Sequence, residues 1–156
     1  MIKTYLTYDD VLLVPNYSAV TPSQTETGTK LTQKISIKIP IIASPMDTVC
    51  EKEMALELGC LGGYGIIHRN LSINDQASQL ARVLNQKVSA GAAVGVGPDF
   101  KERVMALVKA GAKEICVDSA HGYTKHVGEA TSWIKNKFAH VEVISGNVDV
   151  ERLAQE

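Results

Sequence analysis

Five short polar and glycine-rich clusters are the places in this chain where chemistry could be carried. They are Ser44-Pro45-Met46-Asp47, His68-Arg69-Asn70, Gly95-Val96-Gly97, Asp118-Ser119-Ala120-His121-Gly122 and Ser145-Gly146-Asn147. Asp118 offers a carboxylate that either meets a ligand or caps the next helix. His68 and His121 read as site residues or as satisfied hydrogen-bonding groups, since an imidazole serves both ends. Gly95-Val96-Gly97 reads as a phosphate turn or a plain tight turn, because it lacks the full G-x-G-x-x-G pattern. Asp47 with Thr48 could touch a ligand or hold its loop, and a capping box from Thr48 to Glu51 explains Thr48 without function.

Each cluster follows a short apolar run: Pro40–Ser44, Tyr64–Arg69, Gly91–Gly95, Glu114–Ala120 and Val141–Asn147. Anchored on Ile41, Gly65, Gly91, Glu114 and Glu142, the spacings are 24, 26, 23 and 28 residues. A parallel strand needs a crossover helix to bring the chain back, and strand, helix and two loops fill this length. The first helix is expected from Thr48 and Glu51, with Met54 and Leu58 on one face and Gly59 as its stop. Ser72 and Asp75 open the second, whose stripe is Ile73, Ala77, Leu80 and Leu84. Asp99 and Glu102 open the third, with Phe100, Val104, Leu107 and Val108 inward and Gly111 after it. Val127, Ala130, Ile134 and Phe138 form the fourth stripe, weakened by Gly128, and Asp149 reads as the N-cap of a fifth helix. Residues 1–39 stand outside the repeat as an N-terminal extension. There the alternation of Lys34–Ile39 and the apolar Leu12–Val14 predict a hairpin or paired strands over one end of the sheet.

An α/β fold follows, either a doubly wound sheet or a (β/α)8 barrel. The barrel uses every cluster, since all strand ends then converge on one face, whereas an open sheet would use only its switch point. The expectation is therefore a partial TIM barrel over residues 1–156 as a single domain, with βα repeats from 40 to 156 and about five of eight strands.

Composition narrows the partners. The chain has 156 residues, 16 Lys+Arg against 17 Asp+Glu, and 45% apolar residues, so it lacks the concentrated positive face that nucleic acid or an anionic membrane needs. No run is long and apolar enough for a bilayer, and the start lacks the pattern of a signal peptide, so a cytoplasmic location is expected. Cys50, Cys60 and Cys116 form no C-x-x-C pair and are not spaced with the histidines, so neither a disulfide scaffold nor a metal site is expected.

Six motifs in order carry a resemblance. Leu6–Pro15 (LTYDDVLLVP), Ser44–Val49 (SPMDTV), Gly62–Asn70 (GGYGIIHRN), Val88–Gly95 (VSAGAAVG), Val117–Tyr123 (VDSAHGY) and Gly146-Asn147-Val148 are similar to the IMP dehydrogenase/GMP reductase family. The resemblance implies a (β/α)8 barrel, usually a homotetramer. Such a barrel oxidises IMP to XMP with NAD or reduces GMP to IMP with NADPH, often with K+. It implies that Ser44 and Met46 face the nucleotide, that Gly146 and Asn147 lie near the purine, and that Asp118 with Ser119 meets the cofactor or holds the reacting groups. Arg69 takes the place of a basic residue with a supporting catalytic role.

Two departures bear on function. Dehydrogenases of the family commonly carry paired CBS modules between the second helix and third strand, but Val83–Ser89 passes straight to Gly91. The chain also reaches Glu156 before the family's glycine-rich loop with its nucleophilic Cys. Cys60 and Cys116 read as small buried hydrophobes. Cys50, near a helix N-terminus that can lower a thiol pKa, is the remaining weak candidate nucleophile. Leu6–Pro15 and Ser44-Pro45-Met46 favour the dehydrogenase, while the missing insert, Ala120–Thr124 and His126 favour the reductase. A non-catalytic half-barrel that recruits a partner through its open strand edges is the reading from a different class.

Overall fold

Apolar, β-branched runs buried on both sides and linked by helices should make a parallel sheet, and they do. A computed structural model describes residues 6–148. Five parallel strands, β3 (Ile42–Ala43), β4 (Tyr64–Ile67), β5 (Ala90–Val94), β6 (Glu114–Asp118) and β7 (Glu142–Gly146), follow an antiparallel hairpin of β1 (Thr29–Lys30) and β2 (Ser36–Ile37). Helices α1 (Lys52–Cys60), α2 (Ile73–Asn85), α3 (Phe100–Lys109) and α4 (Lys125–Lys137) connect the parallel strands. The strands lie side by side in chain order with no reversal. A doubly wound sheet reverses at its switch point, so this order is that of a barrel wall, and the five strands curl into a half-barrel.

The two faces of the sheet differ. Toward the helices, Ala43, Ile67, Ala92, Val94, Ile115 and Val117 pack with Leu80, Val83, Val104, Leu107, Val127 and Ile134 in one buried core. The inner face is a smaller cluster of Tyr64, Ile66, Ala93 and Cys116, which Ile37 joins from the hairpin with Leu31 and Ile35 against it. Alternation in Lys34–Ile39 therefore serves the hairpin as expected: Ile37 is buried and the lysines face water. The hairpin sits at the N-terminal end of the strands. Lys38 and Ile39 donate backbone bonds to the Gly62 carbonyl just before β4, and Lys34 Nζ lies 3.2 Å from Glu142 at the start of β7. Leu12 and Leu13 are exposed and belong to no strand.

Local signals fared unevenly. Ser72 caps α2 by accepting the Asp75 N–H at 3.1 Å, as its sequence requires. Helix α1 corrects three expectations. It starts at Lys52 with Glu51 as N-cap and no side-chain capping bond, so Thr48 and Glu51 form no capping box. Its buried residue is Ala55, with Leu56 and Leu58 half-buried against the core, while Met54 faces water. The stop is Gly62, at φ +97°, and Gly59 lies within the helix. In α2 Leu80 is fully buried and Ala77 and Leu84 pack against the core, as expected, and Gln76 and Val83 join Leu80 as fully buried positions. The expected fifth helix at Asp149 lies outside the described residues.

Gly65 shows how closely α1 rests on the sheet. A Cβ there would stand 2.5 Å from the Ala55 Cα and 3.1 Å from the Cys50 sulfur. Because the obstacle is helix backbone, Gly65→Ala must push α1 off β4. Overpacking of this kind costs about 2 kcal/mol, and a fall in the urea midpoint without change in slope is the expected reading.

Candidate functional site

The C-terminal ends of the five strands form one rim, opposite the hairpin, and the polar clusters sit along it. Ser44 and Met46 follow β3 and are exposed. The Ser44 carbonyl accepts the Met46 N–H at 2.8 Å, and the Met46 carbonyl accepts those of Val49 and Cys50, so a tight turn presents the Met46 side chain to solvent. At the other edge, Asp118 is in register with Gly146. The two segments beyond them are laced together: Ser119 N–H donates to Gly146 O at 3.0 Å, Asn147 N–H to Ser119 O at 2.6 Å, and Gly122 N–H to Asn147 O at 2.7 Å. The Gly146–Asn147 peptide is cis. Ser119 Oγ donates to the His121 carbonyl at 3.2 Å.

Between these edges lies Arg69. A Cβ on Gly95 would stand 3.2 Å from its Nη1 and 3.3 Å from its Cζ, so the guanidinium lies across the face of Gly95, and a larger residue would displace it. Gly95 is at the end of β5, the strand between those of Arg69 and Asp118. Among the described residues Arg69 has no carboxylate within 4.0 Å and the Asp118 side chain makes no hydrogen bond. A cation and an anion thus flank a glycine floor with their charged atoms uncommitted. Asp118 is not a helix cap, because α4 starts at Lys125 with Thr124 as its cap. The structure brings Asp118, Ser119, Gly146 and Asn147 together by direct bonds and sets Arg69 one strand away. Ser44 and Met46 stand at the far edge of the same rim.

The two histidines separate. His68 is buried; its Nε2 lies 3.4 Å from Glu51 Oε1, and its Nδ1 accepts the Asn70 N–H at 3.1 Å. That is a ring held on both sides, a structural histidine. Hydrogen bonds from Gln79 and then from His68 hold the Glu51 carboxylate below its usual range. His121 is exposed on the rim loop.

The cysteines are poor nucleophiles. Burial pushes the Cys50 thiol up to about 11, against a backbone hydrogen bond at Ile66, so the nearby helix start does not activate it. Cys116 is pushed to about 12 by burial and then by the charges of Glu114 and Asp118. Cys60, expected to be buried, is exposed at the C-terminus of α1, at the end of the strands opposite the rim.

Four buried polar residues escaped the sequence reading, among them Glu142 beside Lys34. Gln76 and Arg103 lie beneath the rim. Glu114 points inward from β6, fully buried, with Tyr64 donating to its Oε2 at 3.4 Å and Oε1 without a partner among the described residues. Burial pushes its carboxyl up to about 8, with the Tyr64 bond opposing. The signal was present in Gly91, whose missing Cβ leaves the space that Glu114 Oε2 occupies.

The chain is similar to known proteins over nearly its whole length. Residues 5–156 match the model of the IMP dehydrogenase / GMP reductase domain. The inosine-5'-monophosphate dehydrogenase of Borreliella burgdorferi is 33% identical over 202 aligned positions, covering 97% of this chain and 50% of that protein. That of Cryptosporidium parvum is 34% identical over 194 positions, with 97% and 48% covered. The Bifidobacterium longum enzyme is 54% identical over 78 residues, half of this chain and 14% of that protein. The first two alignments are longer than the 156 residues of the chain, so those relatives carry extra residues within the matched region. The chain spans about half the length of these two relatives. Its sequential parallel half-barrel, its rim and the match over nearly its whole length place the chain in the IMP dehydrogenase/GMP reductase domain family.

Proposed function

We propose that the chain forms the nucleotide-facing part of a purine-nucleotide oxidoreductase, an IMP dehydrogenase that converts IMP and NAD to XMP and NADH. The observation that carries this reading is the shared rim, with the uncommitted side chains of Arg69 and Asp118 on either side of Gly95, in a chain whose relatives are named for that reaction. In this reading Ser44 and Met46 hold the nucleotide from one edge and Gly146 with Asn147 meets the purine from the other. Asp118 and Ser119 face the cofactor, and Arg69 supplies positive charge to an anionic group. NAD, or NADP, accepts the hydride when bound. The family reaction also needs a thiolate to attack the purine, and the burial of Cys50 and Cys116 and the remote place of Cys60 assign that role to none of the three. K+, a homotetramer and a cytoplasmic location belong to the same proposal. No helix among the described residues is long and apolar enough to cross a membrane.

The test uses the whole protein, with IMP and NAD in one cuvette and GMP and NADPH in another, following the nicotinamide absorbance, and a titration with IMP alongside. Saturable binding of IMP is the expected result, and appearance of NADH would identify the reaction as the dehydrogenase's. Consumption of NADPH with GMP would make it a reductase, and failure to bind either nucleotide would overturn the reading.

A further inference from the structure

Arg69 is exposed, yet the loop that carries it is held at nearly every other point. The Gln76 amide, fully buried on α2, donates from Nε2 toward the carbonyls of Ile67 at 3.2 Å, His68 at 3.0 Å and Ala93 at 2.8 Å. Its Oε1 accepts from Arg103 Nη1 at 2.8 Å, and the same nitrogen reaches the Leu71 carbonyl at 3.1 Å. Arg103, itself buried, is fixed by Asp99 Oδ2, 2.8 Å from its Nε. Asn70 is tied by its backbone N–H to His68 and by its side chain to Asp47 Oδ2 at 3.3 Å. Strand ends exchange no ladder bonds beyond their last pair, so their carbonyls need other donors. Here one side chain serves the end of β4 and the neighbouring β5 at once. The carbonyls it holds belong to the residue before Arg69 and to the residue two before Gly95, the floor on which the guanidinium lies.

We propose that Gln76, backed by Arg103, is a positioning residue that sets the height of the Arg69 guanidinium over Gly95 and so tunes the grip of the rim on an anionic ligand. The inference rests on the proposed nucleotide site for its ligand and on the clamp geometry for its mechanism. A buried amide held by four polar atoms would serve folding alone equally well, so the test must separate the two roles.

A double-mutant cycle in the whole protein does so, with IMP as the probe. Gln76→Met keeps the volume and removes the four side-chain bonds of Gln76, and Arg69→Ala removes the group it positions. We expect each single variant to weaken IMP binding about tenfold and the double variant to bind no worse than Arg69→Ala, because both losses pass through one guanidinium. Losses that multiply would overturn the proposal, since Gln76 would then act on stability or on another part of the rim. A second readout needs no ligand: exchange of the Asn70 amide, held on His68 Nδ1, is expected to quicken at least tenfold in Gln76→Met while the Val143 amide in β7 is unchanged. Equal protection of Asn70 in both proteins would also overturn it. If the parent protein binds no IMP, the nucleotide reading fails and the exchange experiment alone decides the clamp.

Discussion

Glu114→Gln is expected to abolish a loss of stability that the parent protein suffers as pH rises from about 4.5 to about 8. In the folded chain burial holds the Glu114 carboxyl at about 8, against an ordinary value of 4.5. Between those values the folded state keeps a proton that the unfolded state has released. Stability therefore falls with rising pH across that window, by about 1.4 kcal/mol per unit, and levels off above the folded value. Summed over the window the loss is on the order of 4–5 kcal/mol, a large share of the stability of a domain. Tyr64, its hydroxyl pushed up by burial and then by Glu114, stays protonated and keeps donating. Gln carries no proton to lose, so its urea midpoint should change little between pH 5 and pH 9 while that of the parent drops. Parallel pH profiles for the two proteins would show that the carboxyl is ionised throughout.

What the sequence made legible follows from period and punctuation. The strand runs were found within a residue or two at each end because β-branched residues between glycines and polar clusters have few other fates. The rim was legible for the same reason, since a parallel sheet places every strand C-terminus on one side. Helix α1 resisted because its signals were ambiguous. Thr48 lies ahead of Glu51 at capping-box spacing, yet the chain first closes a turn on the Met46 carbonyl, leaving Glu51 as the N-cap. Gly59 and Gly62 are both plausible stops until the backbone shows which of them needs a positive φ. Gln76, Arg103 and Glu114 could not be found by periodicity at all. Their burial is set by carbonyls and side chains from three different βα units, and a polar residue on a helical stripe looks solvated until its partners are known. His68 is the converse: its place on a cluster left it open between a site residue and a satisfied hydrogen-bonding group, and its partners Glu51 and Asn70 show the second.

Asp118→Asn is expected to weaken ligand binding or turnover by about 100-fold with almost no change in thermal stability. The carboxylate ends β6 between Gly95 and Gly146, neither of which offers a side chain to it, and it makes no hydrogen bond among the described residues. A side chain that bonds none of the described residues has no such bond to lose on substitution, and Asn keeps its shape. On the proposed reading, a carboxylate at the rim without a protein partner is free to bond a ligand. A hydrogen bond to an ionised group is worth about 1.5–3 kcal/mol, and the upper end of that range is a factor of about 100 at 25 °C. Arg69→Ala, on the other side of Gly95, should likewise weaken binding, by about tenfold, with little change in stability, because among the described residues its guanidinium has no carboxylate partner. Calorimetric titration with IMP and with NAD, beside a thermal melt of each variant, reads both quantities. Unchanged affinity with a lowered melting temperature would make Asp118 a structural residue and move the site elsewhere on the rim.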